Sequence, residues 1–385
     1  MKKWIALLLA VLMVVPAFAL AEDLPVVKIG VYEPASGANG AGGKQETLGV
    51  QYANVETPTV KIGDTEYKVE LVIVDNGSEN DKAPSAAQQI IASGASIALG
   101  SYGSGVSIAG SEYFKNANIP VIGLTCTNPQ VTAGNSHYFR ICFLDPFQGT
   151  VLANYAFNTL GAKTAYCLAE LGNDYDQGLM EYFKQAFEGL GGTAITESFP
   201  ANTQDFTSYV TNAVAYGAEV FFCPVSIQYS TLIIQTANAQ GLAIPVLGGD
   251  TLDSNKVVEA ATGTPLDVTV TTFYQAGANA AFDEGFRAWL NENAEALTNN
   301  GGNDMIAAVS AMGYDGYYTA LAALQAAGST DSAAVMAALP SVQIDGVTGH
   351  ITFDETGDAI RTSAIVKKVD SAAGEWVFVT EQTVE

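Results

Sequence analysis

Basic residues are scarce in this 385-residue sequence: 16 Lys and Arg stand against 40 Asp and Glu, a formal net charge of −24. No basic run exists that could neutralise a phosphate backbone or an anionic headgroup surface, which argues against nucleic acid and peripheral membrane binding. Histidine is nearly missing, with His137 and His350 alone, so few bases are available for a catalytic triad. No Cys-x-x-Cys spacing and no Cys/His cluster occur, and a zinc site is not expected. A Walker-type phosphate loop and the G-x-S-x-G nucleophile elbow are also absent. Acids are abundant enough to leave glycosidase-like pairs conceivable, but nothing pairs them at a recognisable spacing. Neither an enzyme nor a cofactor is expected from such a composition. What the sequence does have is 48% apolar residues and 38 glycines, enough for a sizeable core and far from a disordered tail. Its length suggests two domains.

The first residues read as an address. Lys2 and Lys3 precede an apolar run from Trp4 to Val15, then Pro16 and Ala17-Phe18-Ala19-Leu20-Ala21. A basic start, an apolar stretch too short for a bilayer, and Ala19 and Ala21 before a cut predict a secretory signal peptide over residues 1–21. Removal of its two lysines makes the rest more acidic still. The cleaved protein is expected to be exported, soluble in the periplasm or outside the cell. With no cysteine beside the cut, a lipid anchor has no attachment point. Cys126, Cys142, Cys167 and Cys223 are widely spaced, mostly in apolar strand-like runs. Buried free thiols are the preferred reading, with disulfides left open.

Beyond the signal the chain alternates strand and helix patterns. Val26–Tyr32, Tyr67–Val74, Ile97–Gly100 and Ile119–Leu124 read as strands, with a Gly-rich loop over Ser36–Gly43 and helices over Lys82–Ser93 and Val106–Asn116. The rhythm restarts with strands at Lys163–Leu171, Thr193–Phe199, Glu219–Pro224 and Ile244–Gly248 and helices at Gln177–Leu190, Phe206–Tyr216 and Thr231–Gln240. Continuous apolar strands in a βαβ order predict parallel sheets covered on both faces. The last third differs, with long helices over Ala280–Leu297 and Asp304–Ala327 and strands at Gly349–Phe353, Thr362–Val369 and Trp376–Thr380 resembling a terminal hairpin. It forms either a third domain or segments returning to the first two.

Open parallel sheets bind ligands at the carboxyl ends of their strands. The run Gly100–Gly105 offers N–H groups and hydroxyls at a helix start, suited to a carboxylate, or is a plain Gly/Ser turn. Thr125-Cys126-Thr127-Asn128 either lines the same cleft or is an ordinary polar loop. In the second unit, Gly172–Gly178, Val225-Ser226 and Gly249-Asp250-Thr251 follow strands. Asp250 either caps the next helix or faces a cationic group.

Further motifs, in order, are Val27-Lys28-Ile29-Gly30 with Pro34 and Ser36-Gly37, Asp75, Ile119-Pro120-Val121-Ile122, Asn173–Gly178, Thr203-Gln204-Asp205-Phe206 and Gly349-His350-Ile351-Thr352-Phe353-Asp354-Glu355-Thr356-Gly357-Asp358. With these the chain resembles the type I periplasmic substrate-binding proteins of ABC importers, in particular the leucine/isoleucine/valine-binding family. The resemblance implies an α/β fold of two lobes, each a parallel sheet flanked by helices, joined by three crossings. Residues 22–145 and 276–348 would form lobe 1, and 146–275 and 349–385 lobe 2. It implies that Ser104 and nearby N–H groups hold a ligand α-carboxylate, that Thr127 and the Thr125 carbonyl meet the headgroup, and that Tyr175 closes over it. Asp250 would pair with the ligand ammonium, Tyr102 would border the side-chain pocket, and Ser226 and Tyr314 would stand near the cleft. Departures are Asp250 where a glutamate is usual, Ser226 in place of an aromatic residue, Tyr102-Gly103 in place of an apolar–Cys pair, and Asn54–Pro58 in place of Asn-x-x-Gly-Gly. The expected function is capture of an amino acid, branched-chain or similarly apolar, by a monomer that docks on a membrane permease. A sensor reporting an amino acid or amide to a membrane signalling receptor is the alternative, and a secreted hydrolase built on Ser104 is a third reading.

Overall fold

A computed structural model describes residues 24–383; the expected signal peptide lies outside the described residues. Six strands form the first sheet: β1 (Val26–Glu33), β2 (Thr59–Ile62), β3 (Thr65–Asp75), β4 (Ile97–Gly100), β5 (Val121–Gly123) and β6 (Tyr138–Arg140), in the order β2-β3-β1-β4-β5-β6. All neighbours are parallel except β2 and β3. From β1 the chain winds first to one side and then to the other, so a crevice opens at the carboxyl ends of β1 and β4.

The second sheet holds β7 (Thr164–Glu170), β8 (Thr193–Phe199), β9 (Val220–Phe222), β10 (Val246–Gly248) and β11 (Val268–Thr272) in parallel. After β12 (Gln343–Gly346) and β13 (Gly349–Thr352), the antiparallel strands β14 (Ser363–Asp370) and β15 (Glu375–Thr383) extend this sheet, which runs β15-β14-β11-β10-β9-β7-β8. Its winding reverses at β7. Short strands such as β4 and β9 are buried at every position, because helices cover both faces of each sheet.

The chain therefore builds two lobes, and the last third returns to both. Helix Ala308–Ala327 brings Met312, Tyr317, Ala320 and Leu324 into one core with Val27, Ile29 and Val31 of β1. It lies against helix Gly40–Glu56 with almost no side chain between them. A Cβ on Gly49 would stand 1.9 Å from the Ser310 carbonyl oxygen, and one on Gly313 2.1 Å from that of Glu46. Close approach also explains a departure from expectation. Half of the Ser36–Gly43 segment is helical, because Gly42 and Gly43 let the helix start pack on the Tyr102 ring and on Pro34.

Other expected elements shift for local reasons. The expected Ala280–Leu297 helix breaks at Asn293, whose side chain accepts from the Ala296 N–H and starts a new helix. The strand expected at Gly349–Phe353 pairs with β12 instead of β14, with Ile344 opposite Ile351. The lobe boundary expected at 348/349 falls inside this hairpin, and Ile351 and Phe353 lie in the first core. All four cysteines are buried free thiols. No helix among the described residues is long and apolar enough to cross a membrane.

Candidate functional site

Four strand ends face one another across the gap between the lobes. In the first lobe, β4 ends at Gly100 and helix Ser104–Asn116 begins with Gly103 as its cap, whose lack of a side chain leaves the opening N–H groups uncapped. Ser104 is buried, and its Oγ accepts from the Asn128 N–H at 3.2 Å. This bond joins the β4 loop to the loop after β5. There Thr125 Oγ1 donates to Glu46 Oε1 at 2.9 Å, while Thr127 Oγ1 is buried without a partner.

Arg140, at the end of β6, holds the Thr125–Asn128 loop in place. One guanidinium nitrogen donates to the carbonyls of Cys126 at 2.9 Å and Asn128 at 2.5 Å, and Nε donates to Asp358 at 2.7 Å. Arg140 is fully buried, so its charge depends on these acceptors.

In the second lobe, Asn173 caps helix Asp174–Gly189 by accepting from the N–H groups of Tyr175 and Asp176. That fixes Tyr175, whose hydroxyl donates to Asp250 Oδ1 at 2.9 Å. Gln148 donates to the same oxygen at 2.8 Å, and its own Oε1 accepts from the Asp250 N–H at 2.8 Å and Thr271 Oγ1 at 2.6 Å. Asp250 is therefore held by Gln148 and Tyr175, next to the cavity-lining Thr251, and does not serve as a helix cap. Burial raises its pKa to about 6 in spite of the Gln148 and Tyr175 donors, which pull the other way.

The lobes meet across the gap. Tyr102 donates its hydroxyl to the Thr251 carbonyl at 3.1 Å, and Asn128 Nδ2 donates to the Asp174 carbonyl at 2.8 Å. The N–H groups of Ile227 and Gln228 reach Asn39 Oδ1 and the Ala38 carbonyl, each at 3.2 Å. A cavity of about 430 Å³ opens here, lined by Tyr102, Ser104, Tyr175, Ser226 and Thr251 among others. Its walls mix hydroxyls, N–H groups and carboxylates with apolar side chains such as Val106 and Leu171, an arrangement that can hold a zwitterion.

A profile of the periplasmic binding protein family matches residues 26–374. The chain belongs to that family. Within it, the chain is a type I periplasmic binding protein whose relatives include leucine/isoleucine/valine-binding proteins. One is the Leu/Ile/Val-binding protein homolog 3 of Brucella melitensis, 31% identical over 351 residues, spanning 89% of this chain and 91% of that protein. The structure of a leucine-binding protein from Thermotoga maritima superposes with a TM-score of 0.83 at 30% identity, covering 93% of this chain and 99% of that one. A branched-chain amino-acid substrate-binding protein of Streptococcus pneumoniae, solved with isoleucine, shares the fold with a TM-score of 0.78 at 23% identity, covering 93% and 99%.

In this periplasmic binding protein, Tyr102, Ser104, Tyr175 and Ser226 line one cavity, with Thr251 next to Asp250. Thr125 and Thr127 lie on the loop tied to Ser104 through Asn128. Tyr314 does not join them. It sits on helix Ala308–Ala327, stacks on Tyr52 at 5.8 Å, donates to Glu56 Oε2 at 2.7 Å and lines a separate surface cavity beside Asp315. Its neighbour Asp315 accepts from the N–H groups of Val347 and Thr348, which ties the β12–β13 turn to the helix.

Glu33, Glu46, Asp145, Gln148 and Arg140 carry much of the local chemistry and were not singled out from sequence. Glu46 falls one helical turn past the Gly-rich segment, and its Gly49 spacing is the only cue. Asp145-Pro146 is a helix-start pattern that the sequence does contain. Among the described residues, no group of three or more His, Cys, Asp and Glu is placed to hold a metal ion.

Proposed function

We propose that this chain is the extracytoplasmic substrate-binding component of an ABC importer and captures an amino acid between its two lobes. The observation that carries this reading is Asp250, fixed by Gln148 and Tyr175 next to Thr251, with the uncapped helix start at Ser104 lining the same cavity as Thr251. A carboxylate on one side and uncapped N–H groups on the other fit the ammonium and carboxylate of an α-amino acid. The names of the relatives point to a branched-chain or similar apolar side chain. Thr125, Thr127, Tyr102 and Ser226 complete the proposed contacts, and no enzymatic role is assigned.

In this reading the first lobe comprises residue 22 to the region of 145, with the segment from 276 through the β12–β13 hairpin. The second comprises the intervening residues with the C-terminal strands. The ligand favours the closed arrangement through contacts that exist only there. The closed monomer then docks on a membrane permease after export and signal cleavage. A titration calorimetry panel of α-amino acids tests the proposal; binding of none of them sinks it.

A further inference from the structure

Lysine is almost never fully buried without a partner, yet the Lys367 side chain is 1% exposed in the middle of β14, opposite Val270 of β11. Val369, two residues on and so on the same face of the strand, belongs with Val270 and Trp376 to an apolar core of the second sheet. The Lys367 ammonium meets Asp253 Oδ2 at 2.7 Å, on a carboxylate side chain with no exposure at all, and stands 5.2 Å from the centre of the Trp376 ring. Thr272, the last residue of β11, donates to the same carboxylate oxygen. Neither Lys367 nor Asp253 lines the cavity between the lobes.

What the pair does touch is the turn that carries the proposed headgroup contacts. Asp253 follows the single 3-10 turn Asp250–Leu252, and its N–H donates to the Asp250 carbonyl at 3.0 Å. Successive side chains of β11 point to opposite faces of the sheet, and the strand end grips this turn from both. Thr271 donates to Gln148, which holds Asp250, while Thr272 donates to Asp253. Between them, Thr251 lines the cavity and its carbonyl accepts the Tyr102 hydroxyl from the first lobe at 3.1 Å. A small rotation of the turn would therefore move Asp250, a wall of the cavity and an inter-lobe contact together.

Taking two charges out of water is costly, and replacing a buried ion pair by apolar side chains of similar size is often neutral or stabilising. Stability thus does not account for a lysine in this core. Direction does: a carboxylate shared by an ammonium and a hydroxyl has few orientations in which both bonds survive, whereas apolar side chains pack in many. We propose that Asp253 and Lys367 are positioning residues of the ligand site, whose ion pair sets the Asp250–Leu252 turn so that Asp250 and Thr251 stand where the ligand headgroup meets them. The inference rests on the amino-acid reading above and deepens it by naming what fixes that site from behind.

The experiment measures affinity and stability side by side in the wild type, K367M, D253N and the double variant. Titration calorimetry with L-leucine, L-isoleucine, L-valine and L-alanine gives the first, and urea unfolding without ligand gives the second. Each single variant strands one buried charge, lowers the urea midpoint and weakens binding about tenfold. The double variant removes both charges, so its midpoint returns toward the wild type while its affinity stays about tenfold weaker. That separation is the signature of positioning, because a merely structural pair would restore affinity together with stability. If a single variant does not fold, the double variant carries the test alone. Wild-type affinity in the double variant, or in either folded single variant, overturns the positioning role and leaves amino-acid binding intact. Binding of none of the four amino acids by the wild type overturns the amino-acid reading, and the positioning role falls with it.

Discussion

Tyr175 donates its hydroxyl to Asp250 Oδ1 at 2.9 Å, from a helix whose first turn is fixed by Asn173 to a strand end whose carboxylate is fixed by Gln148. In the proposed division both residues belong to the second lobe, so the pair needs no contact from the first. Tyr175 thereby presents Asp250 in one orientation rather than leaving it free to turn toward solvent.

Replacing Tyr175 with Phe removes that donor and keeps the ring. Amino-acid affinity falls by about five- to tenfold, the worth of one charge-assisted bond of about 1–1.5 kcal/mol, while the melting temperature of the unliganded protein stays close to the wild type. Calorimetry and a thermal melt on Y175F check both statements. An unchanged affinity contradicts the role given to the bond.

Arg140 is the buried cation that the loop Thr125–Asn128 depends on, with Asp358 as its counter-charge at 2.7 Å. Asp358→Asn leaves a buried guanidinium without its carboxylate, and such breakage costs about 3–5 kcal/mol. Urea unfolding of D358N should show a lower midpoint with an unchanged slope. A midpoint equal to that of the wild type contradicts the pairing as a structural element.

The Gly49–Gly313 crossing allows no added carbon. A Cβ on Gly49 would meet a backbone oxygen at 1.9 Å, an atom that cannot swing aside as a side chain can. Gly49→Ala therefore separates two helices of the first lobe and destabilises it by about 1–3 kcal/mol or more, although alanine favours helix on its own. Gly189→Ala, at the open end of another helix with nothing within 4 Å, is the control and is neutral or stabilising. Denaturant midpoints of the two variants decide the matter.

The alternation of strands and helices and the parallel sheets were legible in the sequence because apolar runs bounded by Gly and Asn recur at βαβ spacing, whereas the two-lobe plan came from the family resemblance. Strand ends at Gly100, Gly172 and Gly248 marked where polar side chains would gather, and Ser104, Tyr175 and Asp250 lie there. Glu33 and Glu46 stayed hidden, since a carboxylate in a strand or an early helix reads as surface until long-range packing buries it. The helical start at Gly40 was missed for a related reason: glycines that read as a loop locally are tolerated in a helix where Tyr102 and Pro34 press on it. Tyr314 looked cleft-proximal by family position, but its hydroxyl is taken up by Glu56 on the outer side of the lobe.

The buried acids also set a pH dependence. Glu46 and Asp145 have pKa values raised to about 8, and Asp250 to about 6, with burial as the main cause in each. The unfolded chain ionises them near pH 4. A raised pKa means that the folded state binds the proton more tightly, so its contribution to stability is greatest at low pH and is lost as pH rises through the folded value. Between pH 5 and pH 8.5, stability of the unliganded closed form declines, and a saturating amino acid flattens the decline. Denaturant unfolding with and without L-leucine at both pH values measures it; stability that rises over this window contradicts the assignment.

The central claim is that Asp250 receives the ammonium of an α-amino acid held between the lobes. Titration calorimetry of an amino-acid panel on the signal-free protein and on D250N tests it directly. The account predicts that at least one neutral α-amino acid binds the wild type with a Kd of about 1 μM or tighter, and that D250N weakens it by about 100-fold. Binding of no α-amino acid, or equal affinity in D250N, would contradict it.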